Sequence, residues 1–329
     1  MPKALISALL GLVLLPAPAF AWGFAAHRYI TRRAIDLLPS EVKPFFLHFA
    51  DEVVVRAIDP DLWRIAGWED DPNHFLDFGI QEFGPYPFTA LPRELGAAIE
   101  KFGMPMLKRN GLLPWREAEE FGNLRRAFED FKRNGTFAPQ NAVLFAAVAA
   151  HYVQDAHQPL HATNNFDGQL TKQNGVHARF ETALFERFQS RMTINPSPPA
   201  PMKNPRDAAF DILLASHQLV QPLLDADKGA VAGKDAYDDD YFEKFFAKAK
   251  PILEGGAHHR RMGTGREAAA QDGDAPYGRE SPLAVTASRN RDLGLGIWDS
   301  QISNLESRIP NPESRCSQSC APGLYRSPG

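Results

Sequence analysis

The chain has 329 residues with 36 basic and 40 acidic side chains, a formal net charge of -4. Such a balance is not the footprint of a protein held to nucleic acid or anionic lipid by bulk charge. It leaves phosphate-bearing substrates open, because an enzyme can bind phosphate through metal ions alone. Cys316 and Cys320 are the only cysteines; a disulfide between them in an oxidising compartment would close too small a loop to stabilise much of a fold.

In chain order, Met1-Pro-Lys3 is followed by about a dozen apolar residues and then Pro-Ala-Pro-Ala-Phe-Ala before Trp22. One charge, a short apolar run and small residues at Ala19 and Ala21 make residues 1–21 a secretory signal peptide. The run is too short to span a bilayer, and no later segment is continuously apolar over a membrane thickness. The mature chain is expected to begin at Trp22, to be soluble and to be secreted or periplasmic. What remains suffices for one large domain or two ordinary ones.

Apolar residues then recur at helical spacing over 28–39, 41–56, 92–108, 115–132, 140–157, 176–190, 206–225 and 240–253, with no comparable set of alternating strand-like segments. This pattern predicts an all-α domain over 22–253, as a single multi-helix unit. Gly84-Pro-Tyr-Pro87, Asn134-Gly135 and the proline-rich stretch 195–201 read as loops between helices. Asp240 followed by Glu243 fits a capping box for the last helix; calcium binding by the acidic run 238–240 is the sharper alternative. Residues 254–329, rich in Gly, Arg, Ser and Asp without sustained period, read as a disordered or atypical tail, with His258 and His259 solvated.

The chemistry-bearing residues interrupt this apolar pattern. His151, Asp155, His161, His177 and Glu181 are close in sequence. Side chains three or four positions apart share one helical face, so His151 with Asp155, and His177 with Glu181, can each aim at one point. Pro159 cannot donate the amide that would bond the Asp155 carbonyl, so the helix should kink or end there, freeing His161 to face a different site. Upstream candidates are His27, His74, Asp59 or Asp61, Arg64 and Asp77. Burying several imidazoles and an aspartate without cations is expensive, whereas zinc accepts this mixture of nitrogen and carboxylate oxygen.

These motifs, spanning Trp22 to Glu181, resemble the secreted trinuclear-zinc phosphodiesterases. That superfamily comprises bacterial zinc-dependent phospholipases C and the single-strand-specific nucleases of the P-one type. The resemblance implies three zinc ions. One would be held by the α-amine and carbonyl of Trp22 with His27 and the bridging Asp155. A second would be held by Asp61, His74 and His151, with Asp59 as the alternative to Asp61. The third would be held by His161, His177 and Glu181. Arg64 would face phosphate, and Asp77 would lie beside the cluster, either in the reaction or as an acceptor orienting an imidazole.

The activity implied is phosphodiester hydrolysis by a zinc-activated water, with Asp61, Arg64 and Asp77 as catalytic candidates and phospholipid or single-stranded nucleic acid as substrate. Glu181 resembles the phospholipase branch, giving that substrate a slight preference, whereas the short Trp22 to His27 spacing resembles the nuclease branch. The aromatics in 83–88 could stack on bases, contact acyl chains or pack as a loop. No serine elbow, phosphate-binding glycine loop or dinucleotide fingerprint is present, and no obligate protein partner is indicated. A secreted zinc-binding or interaction protein without turnover is the competing class.

Overall fold

A computed structural model describes residues 22–194, 196, 202–233 and 236–255. The proposed signal peptide, most of the 195–201 loop, Cys316, Cys320 and the tail beyond Gly255 lie outside the described residues. Within them every regular element is helical and no strand occurs, so the fold is all-α. No described helix is long and apolar enough to cross a membrane.

Helix α1 (Phe24–Asp36), α2 (Lys43–His48), α3 (Ala50–Arg56) and α4 (Asp59–Ile65) lead into a 3-10 turn at Asp71–His74. Helix α1 begins earlier than its apolar period suggested, which puts His27 in the first turn. The 41–56 segment breaks at Phe49. Helix α4, absent from the periodicity analysis, begins with Asp59-Pro60 at its first positions, where proline's missing amide is harmless and its fixed φ suits a helix start. Helices α5 (Leu95–Phe102) and α6 (Met104–Asn110) are separated by Gly103 at φ +75°.

Two long helices, α7 (Leu113–Lys132) and α8 (Ala138–Ala156), pack along one another. Helix α8 ends at Ala156, and Pro159–Ala162 forms a 3-10 turn carrying His161, as the proline predicts. The 176–190 segment becomes α9 (Val176–Ala178), a π-helical turn (Arg179–Leu184) and α10 (Phe185–Phe188). The 206–225 segment divides into α11 (Pro205–His217) and α12 (Val220–Val231), with neither Gly nor Pro at the break. In α13 (Asp239–Leu253) the cap is Asp238, whose side chain accepts from the Tyr241 amide. Asp240 is therefore not the cap expected from the capping-box spacing: it lies inside the first turn and pairs with Lys244.

Three apolar clusters form the core of the described residues, and α8 contributes to two of them. One joins Phe180, Leu184 and Trp22 to α12 and α13. A second packs Leu76, Phe78 and Phe83 against Tyr152 and α11. The third sets Ile35, Phe45 and Val53 against the first half of α8. Phe83 and Phe88 belong to the second cluster, so the 83–88 segment is mostly a packed loop, with Tyr86 its exposed aromatic.

Glu117 of α7 is fully buried, and neither carboxylate oxygen has a hydrogen-bond partner among the described residues. Burial pushes this carboxyl up to about 8. Between the ordinary glutamate value and that one, the folded chain binds a proton that the unfolded chain has released, so stability falls as pH rises through that window. Glu117→Gln should flatten the dependence, by up to about 4 kcal/mol between pH 5 and pH 8. Urea midpoints at the two pH values check this; an unchanged slope would contradict it.

Candidate metal centre

The amino half of α1, the start of α4, the Asp71–His74 turn and the last turn of α8 meet around Asp155, which is fully buried. Its Oδ2 lies 3.0 Å from His74 Nδ1 and 3.2 Å from His151 Nε2; its Oδ1 lies 3.5 Å from His27 Nε2. Asp61 approaches from α4, with Oδ2 4.0 Å from His27 Nε2 and Oδ1 4.0 Å from His74 Nδ1. Next to this assembly, His177 Nε2 lies 2.9 Å from Glu181 Oε2 and 3.2 Å from His161 Nε2. His161 spans the two, its Nδ1 3.8 Å from Asp155 Oδ1.

Three buried sets of donor atoms result, each within 4.8 Å: His27, His151 and Asp155; Asp61, His74 and His151; His161, His177 and Glu181. Both i,i+4 pairs anticipated from the sequence close as predicted, and Asp61, not Asp59, enters the second set. Asp59 instead faces Arg56 at 3.2 Å. The two acids are two residues apart on α4 and so point in different directions.

Backbone geometry holds these pieces together. The Leu76 amide donates to the His161 carbonyl at 2.9 Å, tying the His74 segment to the His161 turn. Gly111, at φ +102°, passes so close to Phe75 that an added Cβ would fall 2.0 Å from its carbonyl oxygen, so glycine is required there. The π turn carrying Glu181 follows α9, where Asp167 accepts from the amide of Gly175. Such local widening of a helix is frequent at functional sites.

The second nitrogen of most imidazoles meets a protein acceptor, the arrangement that fixes a ligating histidine's tautomer and ring direction. His151 Nδ1 donates to the Ala57 carbonyl at 2.8 Å and His177 Nδ1 to the Phe166 carbonyl at 2.9 Å. His74 Nε2 donates to Asp70 Oδ2 at 3.0 Å, which also accepts from the Tyr152 hydroxyl. Gln158 donates to Glu181 at 3.1 Å. The inward atoms His27 Nε2, Asp61 Oδ2, Asp155 Oδ1, His161 Nδ1 and Glu181 Oε1 are buried without a hydrogen-bond partner among the described residues. Unpaired buried donors and acceptors are expensive, and convergent lone pairs of nitrogen and carboxylate oxygen are what a divalent ion satisfies. The donor set therefore fits metal ions.

Electrostatics divide the donors: burial opposes charge on His74, but its bonds to Asp155 and Asp70 outweigh this and push it up to about 9, so a metal ion there would displace a proton. Burial opposes charge on Asp155, but the imidazoles of His151 and His161 outweigh it and hold the carboxyl well below its ordinary value. Burial lowers His161 to about 3 and takes His27 well below its usual range, leaving both neutral with a lone pair to offer.

Arg64 donates to Asp61 at 3.1 Å and to Asp71 at 3.3 Å. With Asp77, Arg109, Phe75 and Phe166 it lines a cavity of about 210 Å³ that also reaches His74, His161 and His177. Asp77 lies on this wall, and burial pushes its carboxyl up to about 7. Among the described residues no imidazole hydrogen-bonds its carboxylate, and its Oδ1 has no partner. The acceptor that orients His74 is Asp70.

Trp22 is buried against Phe180 and donates its indole N–H to the Gln154 carbonyl at 2.9 Å, beside Asp155. Sequence reasoning missed Asp70, Gln154, Gln158 and Arg109. The Asp70 to His74 spacing of four was an available signal; the Ala57 and Phe166 carbonyls have none.

No protein-family model matches the chain, and a search of curated proteins finds no match either.

Proposed function

We propose that the chain is an exported zinc-dependent phosphodiester hydrolase. The observation that carries this reading is the convergence of three buried donor sets, with unpaired inward-facing atoms, beside a cavity that contains an arginine. Three zinc ions would be held by His27 and Asp155 with the freed α-amine of Trp22, by Asp61, His74 and His151, and by His161, His177 and Glu181. Bound zinc supplies a water made acidic to about pKa 7 and positive charge for phosphoryl oxygens.

The chain's own residues do the rest. Arg64 holds a phosphate oxygen from the cavity wall, its fork kept in place by Asp61 and Asp71. Asp155 joins the donor sets through its two oxygens, and Asp70, Gln158 and the Ala57 carbonyl hold the donor side chains in direction. Asp77 offers hydrogen-bonding oxygens to substrate, and Leu160, Phe75 and Phe166 supply the apolar part of the cavity lining.

Phospholipid is the first substrate class, on the likeness carried by Glu181. Single-stranded nucleic acid is the second, because Phe75 and Phe166 on the cavity wall offer faces on which a base can stack. The test is hydrolysis of phosphatidylcholine, single-stranded DNA and RNA by the processed chain, with metal content measured in parallel. EDTA should abolish cleavage of one substrate and added zinc should restore it. Stoichiometric zinc without cleavage of any of the three would leave a binding protein, and absence of zinc would remove both readings.

A further inference from the structure

Gln154 occupies the position before Asp155 at the end of α8, and it grips the amino-terminal segment at three points. Its main-chain carbonyl accepts the Trp22 indole N–H at 2.9 Å. Its side-chain Oε1 lies 2.7 Å from His27 Nδ1, and its Nε2 donates to Thr31 Oγ1 at 2.9 Å. His27 and Thr31 are four residues apart on α1 and therefore share a face. All four residues are buried, so water does not compete for these bonds.

We propose that Gln154 is the positioning residue of the His27 donor set: its amide oxygen takes the Nδ1 proton of His27 and leaves Nε2 bare towards Asp155. The inference rests on the metal-centre reading and adds the choice of donor atom and the residue that makes it. The alternative amide orientation would point N–H at His27 Nδ1 and force the ring proton onto Nε2. That proton would lie on the side facing Asp155 Oδ1 at 3.5 Å and Asp61 Oδ2 at 4.0 Å, beyond hydrogen-bond reach and in the way of a cation. The structure has the first orientation, with Oε1 at His27 Nδ1 and Nε2 at the Thr31 hydroxyl, and the His27 ring, stacked on His151 at 4.1 Å between centroids, has little room to turn.

Other residues of the centre do not duplicate this role. His151 and His177 are directed by main-chain carbonyls and His74 by a carboxylate, which no side-chain amide rotation can reverse. Gln158 also reaches an imidazole, its Nε2 3.2 Å from His177 Nε2, but the Leu160 amide donates to its Oε1 and fixes its direction, and the outer Nδ1 of His177 is already held by a carbonyl.

The test uses the full processed chain with ¹⁵N-labelled histidine and the variants Gln154→Leu, Gln154→Glu and Thr31→Val. Two-bond ¹H–¹⁵N correlation before zinc addition should find His27 protonated at Nδ1 and bare at Nε2 in the parent. Gln154→Leu should lose the single tautomer and bind one zinc equivalent about 10- to 100-fold more weakly, while the His161, His177 and Glu181 set keeps its ion. Gln154→Glu, which retains an acceptor for Nδ1–H, should restore both. Thr31→Val, which removes a hydroxyl able to donate or accept, should leave His27 protonated at Nδ1 and the His161 set unchanged, because Gln154 alone contacts Nδ1.

A parent protein protonated at Nε2 overturns the inference, as does a Gln154→Leu chain with unchanged tautomer and unchanged zinc affinity. If Gln154→Leu fails to fold, the parent spectrum and the other two variants still decide. A parent that binds no zinc but has the predicted tautomer would sink the metal reading while leaving the role of Gln154 in directing His27 intact.

Discussion

Asp155→Asn is expected to remove two of three zinc equivalents and to lower hydrolysis by more than the roughly 10- to 100-fold that loss of an outer partner brings. The substitution preserves shape and changes charge. In the parent, one carboxylate oxygen faces both His74 and His151 and the other faces His27. The neutral amide offers one weaker acceptor and turns an N–H toward imidazole lone pairs that need a cation. The His161, His177 and Glu181 set, which meets Asp155 only at 3.8 Å through His161 Nδ1, should retain its ion. Metal analysis by mass spectrometry beside initial rates decides the matter. Full metal content with parental rates would show that Asp155 does not join these sites.

Asp227→Ala is expected to destabilise the fold by about 3 to 5 kcal/mol, the loss that follows when one partner of a buried ion pair is removed. Asp227 on α12 accepts from the Arg179 guanidinium at 3.1 Å, from Gln173 at 2.7 Å and from the Tyr241 hydroxyl of α13. Arg179 also donates to the carbonyls of Asn174 and Gln173 and lies 4.0 Å from the Tyr237 ring centroid. Deleting the carboxylate leaves a guanidinium buried without its counter-charge. For a helical unit of this size the melting temperature should fall by roughly 6 to 20 °C.

Because Arg179 opens the π turn that carries Glu181, zinc at the His161 set should also weaken in Asp227→Ala. Asp227→Asn, which keeps an acceptor, should lie between parent and alanine variant in both measurements. A melting point within about 2 °C of the parent for Asp227→Ala would contradict the account.

Much of the candidate site was legible because helical geometry is local. The pairs His151 with Asp155 and His177 with Glu181 needed only a period of 3.6 to be placed on common faces, and Pro159 announced the end of α8 through its missing amide. Other features had no local signature. Helix α4 is a seven-residue element whose length is too short for an apolar period to register. The break between α11 and α12 falls at Gln218 and Leu219, residues with no intrinsic reason to end a helix. There, packing of Leu213, Leu223 and Leu224 into two different apolar clusters overrides propensity.

From the amino-acid order alone came the all-α character, the residue types suited to a divalent ion, and the pairs that a single helix aligns. The resemblance put Asp61 before Asp59 and His27 with Asp155, and the tertiary structure brings those side chains together. The cavity joining Arg64 to Arg109, the bond of His27 to Gln154, and the carbonyls of Ala57 and Phe166 that direct His151 and His177 came from the tertiary structure alone. The reason is physical: helix periodicity relates residues within one turn or two, whereas those partners lie on different elements, and several are main-chain carbonyls that every residue possesses. Their meeting depends on how α1, α4 and α8 pack, and that packing is settled by the summed burial of apolar faces.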